Sequence, residues 1–346
     1  MIRKLNLVID LYGCPNRCMH CWLGHMPNRK MEEDADLFII DYFSPHAEKI
    51  AFYSWLREPD FCEGYAERWQ RDLDISKNTV PERFELAGFR LIVRDDAYIP
   101  FLKSVGVDKV QLTFFGLEET QDRYIGRKGA FKEVLKASEL LTENGIVPRW
   151  QCFINEENKD EIIEIYHKAQ KIREKCPKLE FFVHEGTCDG ENRKLYPIRI
   201  RKRNIPAELI PVYLRYDEVL TERECCEILQ KDTSVPKLPI TDEITLNISN
   251  TYNVYYNFTH MTKPWIIGNL KKERPEILMP RIINGDTFAL NALAETSWQK
   301  LTEQFGDFHS DRAFREDDYR MYLINSYLDR YFQKQEAEKA HDPLQQ

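Results

Sequence analysis

An α/β protein built on a parallel sheet is the fold class this sequence predicts, on three observations. Short apolar runs alternate with segments of helical period through roughly the first 185 residues. The alternation gives six strand-and-helix units, the pattern of parallel strands joined by crossover helices. Three closely spaced cysteines, Cys14, Cys18 and Cys21, fall in the first strand-to-helix loop, and parallel α/β folds assemble their sites from the loops at the carboxyl ends of strands. Either a doubly wound sheet or a curved partial barrel satisfies this pattern.

The units follow in order. "LNLVIDLYG" reads as the first strand and "DLFIIDYFSPH" as a helix or turn; "KIAFYSWL" is the second strand and "EGYAERWQRDLD" its helix. "FRLIV" is a third strand, with a helix around "AYIPFLKSVG". "DKVQLTFFG" is the fourth, followed by the long helix "AFKEVLKASELLTENG" that ends at Gly145. "PRWQCFIN" is the fifth. The amphipathic "NKDEIIEIYHKAQKIREKC" gathers Ile162, Ile165, Tyr166 and Ala169 on one face, and "LEFFVHEG" closes the series. Beyond it, "RKLYPIRIRKRNIP" (193–206) is strongly basic and reads as a boundary with a solvated charged face. This places one unit at 1–205 and a second at 206–346. The tail is helical, with Tyr319, Tyr322, Leu323, Tyr327, Leu328 and Tyr331 recurring as a core stripe, and its last ten or so residues are polar and expected to fray.

Composition excludes several classes. The chain has 346 residues, 42% hydrophobic and 31% charged, with a formal net charge of −8. That is an ordinary globular balance, with no basic field to gather a phosphate backbone, so DNA is not expected as a partner. The amino-terminal run is broken by Asn6 and Asp10, unlike a signal peptide, and no stretch approaches the ~20 apolar residues of a membrane span. A cytoplasmic protein with no membrane partner is expected. Nine cysteines scattered without a paired framework fit reduced thiols. Six of them (Cys62, Cys152, Cys176, Cys188, Cys225, Cys226) read as small buried hydrophobes.

The remaining three sit in "YGCPNRCMHCW" with gaps of three and two and no fourth. A structural zinc site is closed by four ligands, usually in two Cys/His pairs, so zinc here would need His20 or His25. A four-iron cluster has four iron corners, and three thiolates would leave one iron with a free coordination position. Gly13 permits a tight turn, and Pro15 and Asn16 favour a loop able to wrap a small inorganic group.

At Cys14, Cys18, His20 and Cys21 the sequence resembles the radical S-adenosylmethionine superfamily, whose hallmark is Cys-x3-Cys-x2-Cys with an aromatic before the third cysteine. The resemblance implies a partial (β/α)6 TIM-like barrel. It also implies a 4Fe-4S cluster on Cys14, Cys18 and Cys21, S-adenosylmethionine chelated to the free iron, and an electron donor such as a reductase, flavodoxin or ferredoxin. In the family, an electron from the cluster cleaves the S–C5′ bond to give a 5′-deoxyadenosyl radical. Glu58, in "WLREPDF", matches the glutamate of the family's Gly-Gly-Glu-Pro stretch, which holds the methionyl ammonium; Leu56 and Arg57 replace the two glycines. In "VQLTFFGLEETQDRYIGRKGAF", Thr113 stands at the serine and Gly116 at the glycine of a second family pattern, with Phe115 where an Asp often stands. Arg127 and Gln151 are further candidates for the cofactor envelope, and Asn158 matches the family's post-strand asparagine, whose alternative role is to cap the next helix. The resemblance covers about residues 3 to 190.

The region "ITLNISNTYNVYYNFTHMTKPWIIGNLKKE" resembles the auxiliary-cluster domain called SPASM, without its cluster cysteines. This implies a C-terminal α+β extension that kept the hairpin and lost the clusters; Asn257 or His260 falls near a ligand position. A rebuilt second cluster from Cys188, Cys225, Cys226 and His260 is the alternative. Two function classes follow. One is an enzyme that abstracts hydrogen from a substrate over the barrel mouth, either a peptide or protein, or a small molecule such as a sugar, amino acid or nucleoside. The other is a non-catalytic iron–sulfur sensor, which would have been free to lose Glu58 and Thr113.

Overall fold

The computed structural model describes residues 2–77, 89–237, 241 and 243–340. The chain runs β1 (Lys4–Ile9), α1 (Ala35–Phe43), β2 (Ile50–Tyr53), α2 (Tyr65–Ile75), α3 (Phe89–Arg94), α4 (Tyr98–Ser104), β3 (Lys109–Phe114), α5 (Glu118–Ile125), α6 (Ala130–Glu143), β4 (Val147–Phe153), α7 (Lys159–Arg173) and β5 (Glu180–His184). It continues through β6 (Leu220–Thr221), α8 (Glu222–Leu229), β7 (Glu243–Ile248), β8 (Asn253–Tyr256), β9 (Gly268–Asn269), α9 (Pro275–Asn284), α10 (Phe288–Ala294), α11 (Trp298–Phe305), β10 (Ala313–Phe314) and α12 (Glu316–Ala340).

The fold is the expected mixed α/β class, a partial TIM-like barrel of parallel strands. The strands form two arcs, β2-β1-β7 and β3-β4-β5, each parallel throughout. Alternation sets their faces. On β3, Val110, Leu112 and Phe114 are buried against the helical layer, and Gln111 and Thr113 point the other way. On β1, Leu5, Leu7 and Ile9 pack with Ile39, Phe43, Leu246 and Leu278, whereas Val8 joins Tyr53, Trp69, Phe114 and Trp150 in a core shared by both arcs. Helix α6 turns Val134, Ala137 and Leu141 to that core at helical spacing, and the Trp150 indole N–H donates to Ser138 Oγ at 2.9 Å.

Two expectations are corrected. "FRLIV" is α3, a helix: Phe89 and Ile92, three apart, bury one face in the shared core, while Arg90 reaches Glu133 of α6 at 3.8 Å. A short apolar run has no period of its own to separate strand from helix, and here helical packing on α6 decides. The sixth parallel strand comes instead from "ITLNI": β7 pairs along all six residues of β1. The basic stretch 193–206 is also not simply a solvated face. Arg199 is buried, donating to the Ala313 and Gly186 carbonyls, with its guanidinium carbon 3.9 Å from the centre of the Phe314 ring.

After the second arc a 3-10 segment (Gly190–Ile198) crosses the strand ends. Helix α8 starts with a capping box, Thr221 with Glu224. β7 and β8 form an antiparallel hairpin extended by β9. The expected stripe on α12 is core: Tyr319, Leu323 and Leu328 are fully enclosed. Residues 341–346, most of the tail expected to fray, lie outside the described residues. Among those described, no helix is long and apolar enough to cross a membrane.

Candidate functional site

The cysteine loop leaves β1 and is fastened to the carboxyl ends of the neighbouring strands. Its middle docks on the end of α5 through Arg17 N–H to the Ile125 carbonyl (2.9 Å) and Met19 N–H to the Tyr124 carbonyl (2.8 Å). Arg127 Nε donates to Asn16 Oδ1 at 3.0 Å, and its Nη1 pairs with Glu133 at 2.7 Å. The loop's two ends are zipped together by Cys14 N–H to Asn28 Oδ1 (2.8 Å) and Met31 N–H to the Leu11 carbonyl (2.9 Å). The Cys21 carbonyl accepts from Gly24 and Glu191 N–H groups, and at Gly190 the chain passes so close that an added Cβ would lie 2.4 Å from both the Cys21 and Trp22 oxygens.

Cys14 is buried, and Cys18 and Cys21 are half-buried. Burial first, then the nearby Cys14, Cys21 and Glu58 charges, push the Cys18 thiol well above its usual pKa. Cys18 therefore lies within electrostatic reach of Cys14, Cys21 and Glu58. Among the described residues, no group of three or more His, Cys, Asp or Glu side chains closes on a point as a single metal ion requires. A tetrahedral zinc site draws its donors to about 2.0–2.3 Å from one centre. Three soft thiols are donors suited to an iron–sulfur unit, whose binding would release their protons.

The other candidate residues line the same end of the barrel. The His20 ring packs on Phe115 and Phe153, centroids 4.2 and 4.9 Å away, with Nδ1 enclosed and unpartnered. Burial lowers its pKa to about 3, so the ring is neutral. His25 is exposed, 3.7 Å from Glu191. Thr113 and Gln151 are register partners on the inner face of β3 and β4. The Thr113 carbonyl accepts from Gln121 Nε2 at 2.8 Å, and Gln151 joins Gln111 to His184. Asn158 stands at the N-cap position of α7 but makes no side-chain capping bond: its Oδ1 accepts from Asn155 N–H, and its Nδ2 donates to the Phe115 and Phe153 carbonyls.

Sequence reasoning missed three parts of the site. Gln111 and His184 extend Gln151 into a polar ladder across β3, β4 and β5; polar residues at inward positions of otherwise apolar strands were the available signal. Asp10 and Arg57 form a buried two-pronged ion pair at 2.8 and 2.7 Å, for which the sequence carries no local sign. Beside the ladder, a cavity is lined by Tyr124, Phe153, Asn155, Glu185, Asn192 and Arg199. Its charged end is a buried network in which Glu185 stands 3.7 Å from Arg199 and 3.6 Å from Arg315, accepts from Tyr213 at 3.0 Å, and Arg315 grips Asp318 at 2.6 Å.

Away from this end, Cys225 and Cys226 are enclosed in the C-terminal core, with Cys226 Sγ 3.1 Å from Tyr319 Oη, while Cys188 Sγ accepts from Arg199 at 3.3 Å. His260 is buried with neither ring nitrogen hydrogen-bonded, Nδ1 standing 3.6 Å from Asp189; Asn257 is exposed.

Residues 8–169 match the family model described as the radical SAM superfamily. Over this span the chain is similar to radical SAM proteins. Among curated proteins, the chain is 27% identical over 225 residues to the Fe-coproporphyrin III synthase of Methanosarcina barkeri (strain Fusaro / DSM 804), covering 58% of this chain and 53% of that protein. It is 34% identical over 74 residues to the sporulation killing factor maturation protein SkfB of Bacillus subtilis (strain 168), covering 21% of this chain and 18% of that one. The matched part thus spans about half the length of the first relative and less of the second. Among solved structures, anSMEcpe with bound AdoMet and the Cp18Cys peptide has a TM-score of 0.53 at 13% identity, covering 94% of this chain and 99% of that one. The radical SAM fold is therefore accompanied by a C-terminal arrangement of similar overall course.

Proposed function

We propose that the chain is a radical SAM enzyme that binds a 4Fe-4S cluster through Cys14, Cys18 and Cys21, binds S-adenosylmethionine beside it, and abstracts hydrogen from a peptide or protein substrate. The observation that carries this is the Cys14, Cys18 and Cys21 loop fastened at the head of β1 by its hydrogen bonds to Asn28, Leu11 and the end of α5, within residues 8–169 that match the radical SAM family model. When bound, the cluster supplies the electron that cleaves the cofactor's S–C5′ bond to the 5′-deoxyadenosyl radical. Glu58 accepts the methionyl ammonium. Thr113 and Gln151, on the inner face, line the ribose and carboxylate side, and Arg127 holds the loop through Asn16. His20, a neutral ring on Phe115 and Phe153, gives the pocket a flat apolar wall. A reductase, flavodoxin or ferredoxin is the electron donor in this reading. The division at residue 205/206 belongs to it as well, with β7 of the second unit completing the first unit's sheet and the second unit lacking clusters of its own, since Cys225 and Cys226 pack in its core.

A peptide substrate is supported by the local likeness to SkfB, a maturation protein. The longer match to Fe-coproporphyrin III synthase favours the second reading, a small-molecule substrate. The test is anaerobic reconstitution followed by iron, sulfide and 5′-deoxyadenosine assay. About four irons per chain are expected, with slow 5′-deoxyadenosine release when reductant and S-adenosylmethionine are supplied. Stoichiometric zinc without iron, or bound cofactor that is never cleaved, would reject the proposal.

A further inference from the structure

Four chain segments distant in sequence meet beneath the cysteine loop. The Asp10 carboxylate at the end of β1 is fully enclosed and is gripped by Arg57 Nε at 2.8 Å and Nη2 at 2.7 Å. It also accepts the backbone N–H groups of Gly13 and Asn250. Gly13 is the residue before Cys14. Arg57 Nη2 donates further to the Pro27 carbonyl at 2.8 Å, where the cysteine loop leaves, and Arg57 is the residue before Glu58. The same Pro27 carbonyl takes Asn250 Nδ2 at 2.6 Å, and Asn250 Nδ2 also reaches the Arg29 carbonyl at 3.0 Å. Asn250 belongs to the turn of the β7–β8 hairpin, in the C-terminal unit. One buried carboxylate therefore ties together the start of the cysteine loop, its exit, the Glu58 loop and the C-terminal hairpin.

The energetics make this connection stiff. A buried two-pronged guanidinium–carboxylate pair fixes direction as well as distance. Removing one partner leaves the other charge uncompensated in the interior, so the arrangement does not loosen by degrees. Where the family pattern has a second glycine, this chain has a long cation that pairs with the buried Asp10 carboxylate.

We propose that Asp10, Arg57 and Asn250 are positioning residues that set Cys14 and Glu58 in mutual register, making the C-terminal hairpin an integral part of the cofactor site. The inference rests on the proposed function for the cofactor's identity, and on the structure alone for the coupling. It is tested in two arms on the full chain. In the cluster-free protein, hydrogen exchange is followed at the loop amides of Gly13, Cys14 and Met31 and, as internal reference, at those of α6. Asn250→Ala and Arg57→Lys should speed the loop amides about tenfold and leave α6 unchanged. In the reconstituted protein, the same variants should keep the parental iron content but bind S-adenosylmethionine about tenfold more weakly, with a diminished cofactor-induced change in the cluster's electron paramagnetic resonance spectrum. Because Asn250 and Arg57 share the Pro27 carbonyl, the double variant should lose less than the product of the two single losses. Arg57→Met is the stronger perturbation; if it fails to fold, the milder pair still decides. Loop exchange unchanged, or quickened equally in α6, overturns the positioning role. A parent that binds no iron or cofactor overturns the proposed function and leaves the exchange arm standing by itself.

Discussion

Replacing Gly190 by Ala puts a measurable strain on the cysteine loop. Gly190 has φ +50°, and a Cβ there would lie 2.4 Å from the Cys21 and Trp22 carbonyl oxygens and 2.7 Å from the Trp22 carbonyl carbon. Ordinary contact starts at 3.4 Å, so one wall or the other must retreat by about an ångström, a shift that interiors packed like crystals resist. A side chain in left-handed backbone costs ~1–2 kcal/mol, and forced overpacking adds ~1–3 kcal/mol. Gly145 provides the matched control: its φ is +76°, but nothing lies within 4 Å of its would-be Cβ, so Gly145→Ala carries only the backbone part. Urea unfolding of both variants and iron content after anaerobic reconstitution read the difference. Gly190→Ala should lose ~1–3 kcal/mol more stability than Gly145→Ala, and should hold less iron because Cys21 is displaced. Equal stability losses with equal iron would show that the crossing segment does not brace Cys21.

Glu58→Ala should weaken S-adenosylmethionine binding by ~1.5–3 kcal/mol, with the iron content intact, as measured by calorimetry under anaerobic conditions; unchanged affinity would show that Glu58 does not touch the cofactor. The triple variant Cys14→Ala, Cys18→Ala, Cys21→Ala should lose its brown colour and all 5′-deoxyadenosine release yet keep its circular dichroism spectrum. Cys225→Ala and Cys226→Ala should leave iron at about four per chain, and a parental count near eight would reinstate a second cluster. His184 and His260 are buried and held neutral, each with its pKa lowered to about 3 from 6.5. Between those values the unfolded chain takes up protons that the folded chain refuses, so stability should fall with pH by ~1.4 kcal/mol per unit for each ring. His184→Asn should remove one share of that slope in urea titrations between pH 6.5 and 4, and an unaltered slope would refute the assignment.

Strands whose pattern alternates strongly were legible. "VQLTF" and "RWQCF" bury every second residue, and their pairing follows from the crossover helices between them. "FRLIV" was not legible, because five residues are too few to show a period and the packing against α6 that settles it lies 40 positions away, as with Arg94 and Glu133, 39 apart. The three cysteines stood out through spacing alone, since a compact thiol loop is a local pattern. Glu58 and Thr113 stood out only through family likeness. Asp10 and Arg57 were invisible because their meaning is a contact: each alone is an ordinary charged residue, and only the fold brings them within 2.8 Å. The polar ladder lay between these cases, written as inward-facing glutamines but recognisable only once the inward face was known.

The pairing of β1 with β7 has a consequence in time. Asn6 and its cross-strand hydrogen-bond partner Thr245 are separated by 239 positions, so the strand that carries the cysteine loop emerges from the ribosome with one edge open and stays so until the last third of the chain follows. At ~5–20 residues per second that interval is roughly 12 to 48 s. Through it, the loop's thiols are presented on an unfinished frame without the hairpin turn that will fasten them. The loop that carries Cys14, Cys18 and Cys21 is therefore completed late, only when β7 and the hairpin turn with Asn250 have joined it.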